Sequence, residues 1–395
     1  MSLIVKGGTV FLGDKFERKD ILVEGDRISS VGNSLKGDQS LNAEGMLVVP
    51  GLIDPHVHFR EPGDTYKEDF ESGGRAAIAG GFTTVIDMPN NAKPTITRER
   101  LEEKQRLSKK ALCDVLFHFG GTDDNFEEVK KADPASMKLY LGETTGSMVL
   151  RKPDSLERHF ASFAKERPIV LHASDHSEGE EENLAKTYRT LEGAVALAGR
   201  YGRRIHLAHA STKKEISIAK RYGKCTVEVA PHHLFLSSDD ADRLGPLRRV
   251  YPPLRSEKKR LMLWSALEIV DCIATDHAPH TIEDKEKGAA GFPGLETSLG
   301  MMLHGCDKGL IDKIWLFQRM SRNPAEIFSL EGKGRIAQGC LADIAIIDPK
   351  TEWTVRGPDQ YTKCKWTPFD GKKLKGKVRS VIKGGKLVYH DYSFM

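Results

Sequence analysis

From residue 50 onward, short apolar runs rich in β-branched residues alternate with longer stretches of helical periodicity. The runs are GLIDPHVHF (51–59), FTTVIDMP (82–89), CDVLFHFGG (113–121), SMKLYLG (136–142), PIVLHAS (168–174), RIHLAHAS (204–211), CTVEVAPH (225–232) and DCIATDHAP (271–279). Runs of this length bounded by turn residues predict strands. Helices are predicted between them, at 97–110, 154–166, 181–200 and 212–222. The last begins at Thr212, with Glu215 at capping-box spacing. Eight strand–helix units over roughly 250 residues predict an α/β fold of the (β/α)8, TIM-type barrel kind. The long interval 233–270 predicts extra loop or helix after the seventh strand.

The two ends of the chain follow a different rhythm. LIVKGGTVFL (3–12), DILVEGDRISSVG (20–32) and LNAEGMLVVPG (41–51) are strand-like and broken by Gly, Asp and Asn. Gly7-Gly8 and Glu24-Gly25-Asp26 are predicted as hairpin turns. Strand character returns after about residue 335, and VIKGGKLV (381–388) echoes LIVKGGTV (3–10). The echo predicts that both ends meet in one small sheet beside the barrel.

Composition narrows the class without naming a chemistry. A chain of 395 residues is too long for one small core, so two or three domains or a barrel with an attachment are expected. With 60 basic and 56 acidic residues there is no general case for nucleic-acid or membrane binding. The six cysteines occur singly, which argues against zinc ribbons, thioredoxin chemistry and a disulfide framework. MSLIVKGGTV lacks the apolar core of a signal peptide, and no apolar run reaches the roughly 18 residues of a membrane span. The expectation is a reduced, cytoplasmic protein.

Histidine carries the chemistry. His56 and His58 are two apart, so on a strand they share a face, roughly 6–7 Å apart along the backbone. They end the first barrel strand, where barrel enzymes keep their active sites. The pair suits one metal ion, or equally a hydrogen-bonded surface pair. His172, His209 and Asp276 end strands five, six and eight, and together the set reads as a site for a borderline metal, zinc by default. His206, three residues before His209, is expected to face the opposite way in a structural role, and His118 to fill the core. His232 and His233 are weaker ligand candidates. Lys138, among Met, Leu and Tyr, is costly if charged and unpaired. Burial favours its neutral amine, which can add carbon dioxide to give a metal-bridging carbamate. The glycine pairs after Lys6 and Lys383 lack a phosphate-loop pattern, and the basic tail 363–386 reads as a solvated sheet edge.

These residues stand in motifs that resemble a known family. DPHVHFREPG (54–63), DMPN (87–90), KLYLGET (138–144), HLAHAS (206–211), VAPHHLFL (229–236), PPLR (252–255), ATDHAPH (274–280), GFPGLET (291–297), NPAEIF (323–328) and TPFDG (367–371) run nearly end to end. They resemble the cyclic-amidohydrolase branch of the metal-dependent amidohydrolases, and within it the dihydroorotase family. The resemblance implies a barrel (50–334) flanked by a small β-sandwich built from both chain ends (1–49 with 335–395). It implies two zinc ions: one on His56, His58 and Asp276, the other on His172 and His209, bridged by carboxylated Lys138. It implies that His58, Arg60, Asn90 and His280 contact the substrate, with the backbone of Ala290 and Gly291, and that Asp276 moves the proton. Arg60 is expected to continue the strand alternation of His56 and His58. The implied substrates are dihydroorotate and N-carbamoyl-L-aspartate; a homo-oligomer or an association with aspartate transcarbamoylase is compatible with it. Allantoinases and dihydropyrimidinases or hydantoinases are the rival readings, and a scaffold without activity is the remaining one. Three positions depart from the family pattern: Tyr251 before PPLR, Thr145 after Thr144, and Ala208 in place of a cysteine, so no third zinc is expected.

Overall fold

The structure, a computed structural model, describes residues 2–142, 148–175 and 179–395. Thr144 and Thr145 lie outside the described residues. The first part of the chain forms β1 (Ser2–Phe11), β2 (Phe16–Glu24), β3 (Arg27–Gly32), β4 (Gln39–Asn42) and β5 (Leu47–Pro50). The barrel strands follow: β6 (Leu52–Val57), β7 (Phe82–Asp87), β8 (Asp114–Phe117), β9 (Phe119–Gly120), β10 (Met137–Tyr140), β11 (Ile169–His172), β12 (Ile205–Leu207), β13 (Cys225–Val229) and β14 (Cys272–Ile273). The chain ends with β15 (Ile344–Thr354), β16 (Lys373–Lys383), β17 (Lys386–His390) and β18 (Ser393–Phe394).

Strands from both ends share one sheet, in the order β18-β17-β16-β15-β5-β1-β2-β3, with β4 beside β1. The seam is antiparallel, Leu47–Pro50 against Ile344–Ile347. This sheet forms the flanking β-sandwich and closes over its own apolar core, which includes Val5, Val10, Ile21, Val48, Ile344 and Ile382. The echo between the two glycine pairs is not a repeated structure, and the expected hairpin at Gly7-Gly8 is corrected. β1 runs straight through that pair with a bulge between Val5 and Gly8, and Gly7 takes a positive φ of 73°. Gly384-Gly385, by contrast, turns the hairpin between β16 and β17.

The barrel strands pair in parallel from β6 to β8 and from β9 to β14. The third strand is interrupted at His118, which separates β8 from β9. The ring closes where Val57 bridges His277 and the His58 amide donates to the His277 carbonyl at 2.8 Å. β6, β7, β10 and β11 are buried at every position, because helices cover one face and the barrel interior the other. This is why the runs read as continuous apolar stretches.

Helices Arg98–Leu107, Ser155–Ser162, Glu180–Tyr201 and Lys213–Lys220 occupy the predicted intervals. Thr212 Oγ1 accepts from the Glu215 amide at 3.3 Å, but Glu215 does not close the expected box. Its Oε2 instead accepts from the amide and hydroxyl of Ser211 and the hydroxyl of Thr212. The interval after β13 holds short helices, including Pro231–Phe235 and Glu257–Trp264. No helix among the described residues is long and apolar enough to cross a membrane.

Candidate active site

The C-terminal ends of the barrel strands converge on one cavity. It is lined by His56, His58, Arg60, Asn90, Lys138, Tyr140, His172, His209, Tyr251, Asp276, Ala278, Ala290 and Gly291. Five strands, β6, β10, β11, β12 and β14, therefore deliver the candidate ligands to one place, although several strands stop short of them. β6 ends at Val57, β12 at Leu207 and β14 at Ile273. Beyond them, Arg60, His209 and Asp276 adopt positive φ values of 31°, 35° and 49°. Side chains rarely take this conformation, and it turns these three out of strand register. The expected alternation from His58 to Arg60 is thus corrected: the backbone breaks at Arg60, and the left-handed turn directs the guanidinium. The same break at His209 corrects His206. That ring does not face away; it sits beneath the cavity, with Nε2 3.0 Å from Glu228 Oε2.

Two imidazoles and a carboxylate meet at the cavity floor. His56 Nε2 and His58 Nε2 lie 3.3 and 3.1 Å from the same oxygen, Asp276 Oδ1. The opposite nitrogens are held elsewhere. His58 Nδ1 donates to Asn90 Oδ1 at 2.9 Å, and His56 Nδ1 donates to Glu228 Oε1. Protons on both Nδ1 atoms leave both Nε2 lone pairs turned to one point, the arrangement a metal-ligating pair requires. His56, His58 and Asp276 are the one group of three among the described residues whose donor atoms could hold a metal ion. His172 Nδ1 lies 2.8 Å from His209 Nε2, and the rings of His56 and His209 are 5.2 Å apart.

Electrostatics support this reading. Burial raises the carboxyl of Asp276, but His56 and His58, both facing its Oδ1, outweigh it and hold Asp276 well below the usual carboxylate range. Burial pushes His58 down to about 4, so both its lone pair and the Asp276 charge persist at neutral pH. Lys138 is fully buried on β10, and its Nζ has no hydrogen-bond partner. Burial brings it down to about 8, with Glu228 and Asp276 opposing.

Arg60 is buried at the rim. Its Nε donates to the Pro279 carbonyl at 3.0 Å, and its Nη2 lies 3.0 Å from His280 Nε2. His280 does not line the cavity; it stands behind Arg60, also 3.0 Å from the Ala290 carbonyl. A guanidinium only donates, so His280 Nε2 offers it a lone pair. Asn90 sits on a turn propped by a buried ion pair: Lys104 Nζ reaches Asp87 at 2.6 Å and donates to the Met88 carbonyl at 2.7 Å. His118 Nε2 donates to the Pro55 carbonyl at 3.0 Å and its Nδ1 lies 2.7 Å from the Ser136 hydroxyl, a core position. His232 and His233 are buried in the short helix after β13, outside the cavity lining.

Glu228 was not foreseen. It hides in a strand as the fourth residue of CTVEV, and only its polarity inside a buried run marked it. Fully buried, it accepts from His56 Nδ1, from the His209 amide at 3.0 Å and from His206 Nε2. It orients two candidate ligands at once. Asp54 joins the same floor, accepting from the amides of His56 and Thr275, each at 3.1 Å. Glu228→Gln should retain the fold but weaken metal retention by about 10- to 100-fold, because an amide cannot accept all three bonds as an anion does. Metal counted per chain after dialysis against graded chelator reads this directly; unchanged retention would reduce Glu228 to packing.

The barrel, its flanking sheet and the histidine–aspartate cluster define a metal-dependent hydrolase of the amidohydrolase class, and the amidohydrolase family profile matches residues 47–388; the chain belongs to that family. Its fold is similar to that of an L-hydantoinase (dihydropyrimidinase) from Arthrobacter aurescens, with a TM-score of 0.94 at 27% identity, covering 100% of this chain and 97% of that one. Within the family it falls among the dihydroorotases. It is 36% identical over 401 residues to the dihydroorotase of Pyrococcus furiosus, covering 99% of this chain and 93% of that protein. It is also 36% identical over 362 residues to a multifunctional protein CAD of Squalus acanthias, covering 89% of this chain but 15% of that protein.

Proposed function

We propose that this chain is a dihydroorotase, interconverting N-carbamoyl-L-aspartate and (S)-dihydroorotate in de novo pyrimidine (UMP) synthesis. The observation that carries the reading is the buried Arg60 guanidinium facing the same cavity as the His56–His58–Asp276 cluster. A planar fork of donors beside a hydrolytic centre suits a cyclic amide that bears a carboxylate. In this reading residues 50–334 form the catalytic barrel, and 1–49 with 335–395 the composite sandwich.

The residues present fit two zinc ions. Two Nε2 lone pairs and a carboxylate converge on one point, and Lys138 Nζ and His209 Nδ1 are buried without partners. His56, His58 and Asp276 would hold one ion, and His172 and His209 the other. The Lys138 amine, were it to add carbon dioxide and lose a proton, would supply a carbamate as a further anionic ligand for them. Zinc bound there lowers the pKa of water towards neutrality and polarises an amide carbonyl. The chain's own groups do the rest. Arg60, oriented by His280, grips the substrate carboxylate. Asn90 fixes His58 through Oδ1 and keeps its amide N–H groups for the substrate, beside the Ala290 and Gly291 backbone. Asp276 accepts a proton at its carboxylate as water adds, and returns it to the ring nitrogen as the C–N bond breaks. Ring closure runs these transfers in reverse. The likeness to part of a multifunctional protein supports association with partner enzymes, aspartate transcarbamoylase among them.

The hydantoinase-like fold favours a second reading, a cyclic amidase of the hydantoinase, dihydropyrimidinase or allantoinase type. An assay of purified, zinc-loaded protein separates the two. Dihydroorotate, hydantoin and allantoin are offered separately, and N-carbamoyl-L-aspartate is offered for the reverse direction. Dihydroorotate is expected to lead by at least about 100-fold in kcat/KM, since a buried guanidinium left unpaired penalises rings without the carboxylate. Preferred opening of hydantoin or allantoin would sink the proposal.

A further inference from the structure

The carboxylate side of the cavity is only one side chain thick, and what stands behind it comes from the far end of the sequence. The segment joining β15 to β16 leaves the sheet and packs against the loop that carries His280. Trp366, buried in this segment, donates its indole N–H to the His280 carbonyl at 2.7 Å. Its ring packs edge-on against Phe292, with centroids 6.2 Å apart. Lys285 stands beside both rings, 5.3 Å from that of Phe292 and 5.6 Å from that of Trp366. The Lys285 ammonium donates to the Gly291 carbonyl at 3.0 Å and to the Arg249 carbonyl at 2.5 Å. One residue earlier, Ala290 offers the carbonyl that faces His280. A second tie comes from Thr362, whose hydroxyl donates to buried Glu68; Glu68 in turn faces His277 Nε2 at 3.4 Å.

Neither Trp366 nor Lys285 lines the cavity. Each instead holds a main-chain carbonyl adjoining the groups that do. The Gly291 amide also donates to the Arg249 carbonyl at 3.0 Å and Phe292 bridges His277, so Trp366 and Lys285 add side-chain ties to backbone that carries the His280 ring and the Ala290 carbonyl. Arg60 takes its direction from His280 and from the Pro279 carbonyl, so a shift in this loop moves the guanidinium as well. Displacements well under an ångström matter for a bidentate contact.

We propose that Trp366 and Lys285 are positioning residues for the substrate carboxylate, acting through the carbonyls of His280 and Gly291. The proposal deepens the dihydroorotase reading and rests on it. It also gives the tail around TPFDG a part in substrate selection, beyond closing the sheet.

The test uses two variants of the full-length, zinc-loaded protein. Trp366→Phe keeps an aromatic ring and removes the N–H. Lys285→Met keeps the length and removes the ammonium. Binding of orotate, a ring acid, is compared with that of uracil, the same ring without the carboxylate. In wild type orotate should bind the tighter. In each variant orotate should weaken by about tenfold, the loss of one oriented charge-assisted contact, while uracil is unmoved. For dihydroorotate, KM should rise by a similar factor, with kcat and zinc per chain nearly unchanged. Unchanged orotate affinity in either folded variant overturns the proposal. So does equal weakening of orotate and uracil, or loss of zinc, since either marks general destabilisation. The variants act on different carbonyls, so one that folds suffices. Wild type binding uracil as tightly as orotate would overturn the carboxylate reading itself, and this inference with it.

Discussion

Asp276→Asn should fold, retain part of its metal and turn over neither dihydroorotate nor N-carbamoyl-L-aspartate. Asparagine keeps an oxygen where Asp276 Oδ1 faces His56 and His58, so the site is not emptied of ligands. What it loses is the capacity to take a proton. The carboxylate of Asp276, facing His56 and His58, is held well below its ordinary range, so it is ionised at neutral pH and has the lone pair to take one. An amide oxygen at the same place is too weak a base. The expected loss in kcat is at least about 10³-fold, and equal in both directions because one group serves both. Ring opening and ring closure are followed separately, with zinc counted per chain. A variant that closes the ring at near wild-type rate would move the proton-transfer role elsewhere.

Lys138→Ala should lose metal and activity together. The side chain is fully buried, with no hydrogen-bond partner at Nζ. A purely structural lysine in that position would be a poor design, since an unpaired buried ammonium is costly and alanine would relieve it. The expected result is a fall of at least one zinc per chain and turnover near background. A stability measurement on the metal-free proteins separates the two roles. Lys138 drops from 10.5 to about 8 on folding, so between those values the unfolded chain binds the extra proton. Stability of the metal-free wild type should therefore rise as pH climbs from about 8 towards 10.5 and be level below 8. Lys138→Ala should lack that rise. Full activity in the alanine variant would remove the carbamate from the mechanism.

Much of this candidate site is legible in the amino-acid sequence alone. Eight apolar runs set the barrel, and the polar residues at their ends had no reason to be there except chemistry. His56, His58, His172, His209 and Asp276 stand out because each interrupts an apolar run near its C-terminal end, and Lys138 because it is a charged residue inside one. The meeting of the chain ends was legible too, although the glycine echo that pointed to it joins a bulge to a hairpin. Glu228 was not legible. An acid inside a strand reads as an exposed position until the partners that neutralise it are known, and those partners, His56 and His206, lie 172 and 22 residues away.

Local pattern determines which segments become strands, which ends carry donors, and which residue types gather at the barrel mouth, because side-chain period and polarity act over a few residues. Direction was decided by tertiary structure. Arg60, His209 and Asp276 leave their strands through left-handed turns that no alternation rule anticipates. The strain of those turns is tolerated because bonds from distant segments hold it: Glu228 on the His209 amide, Asp54 on Thr275, and the Pro279 carbonyl on Arg60. Residue order alone sets the chemical inventory of the site, and the packing of segments far apart in the chain sets where each group points.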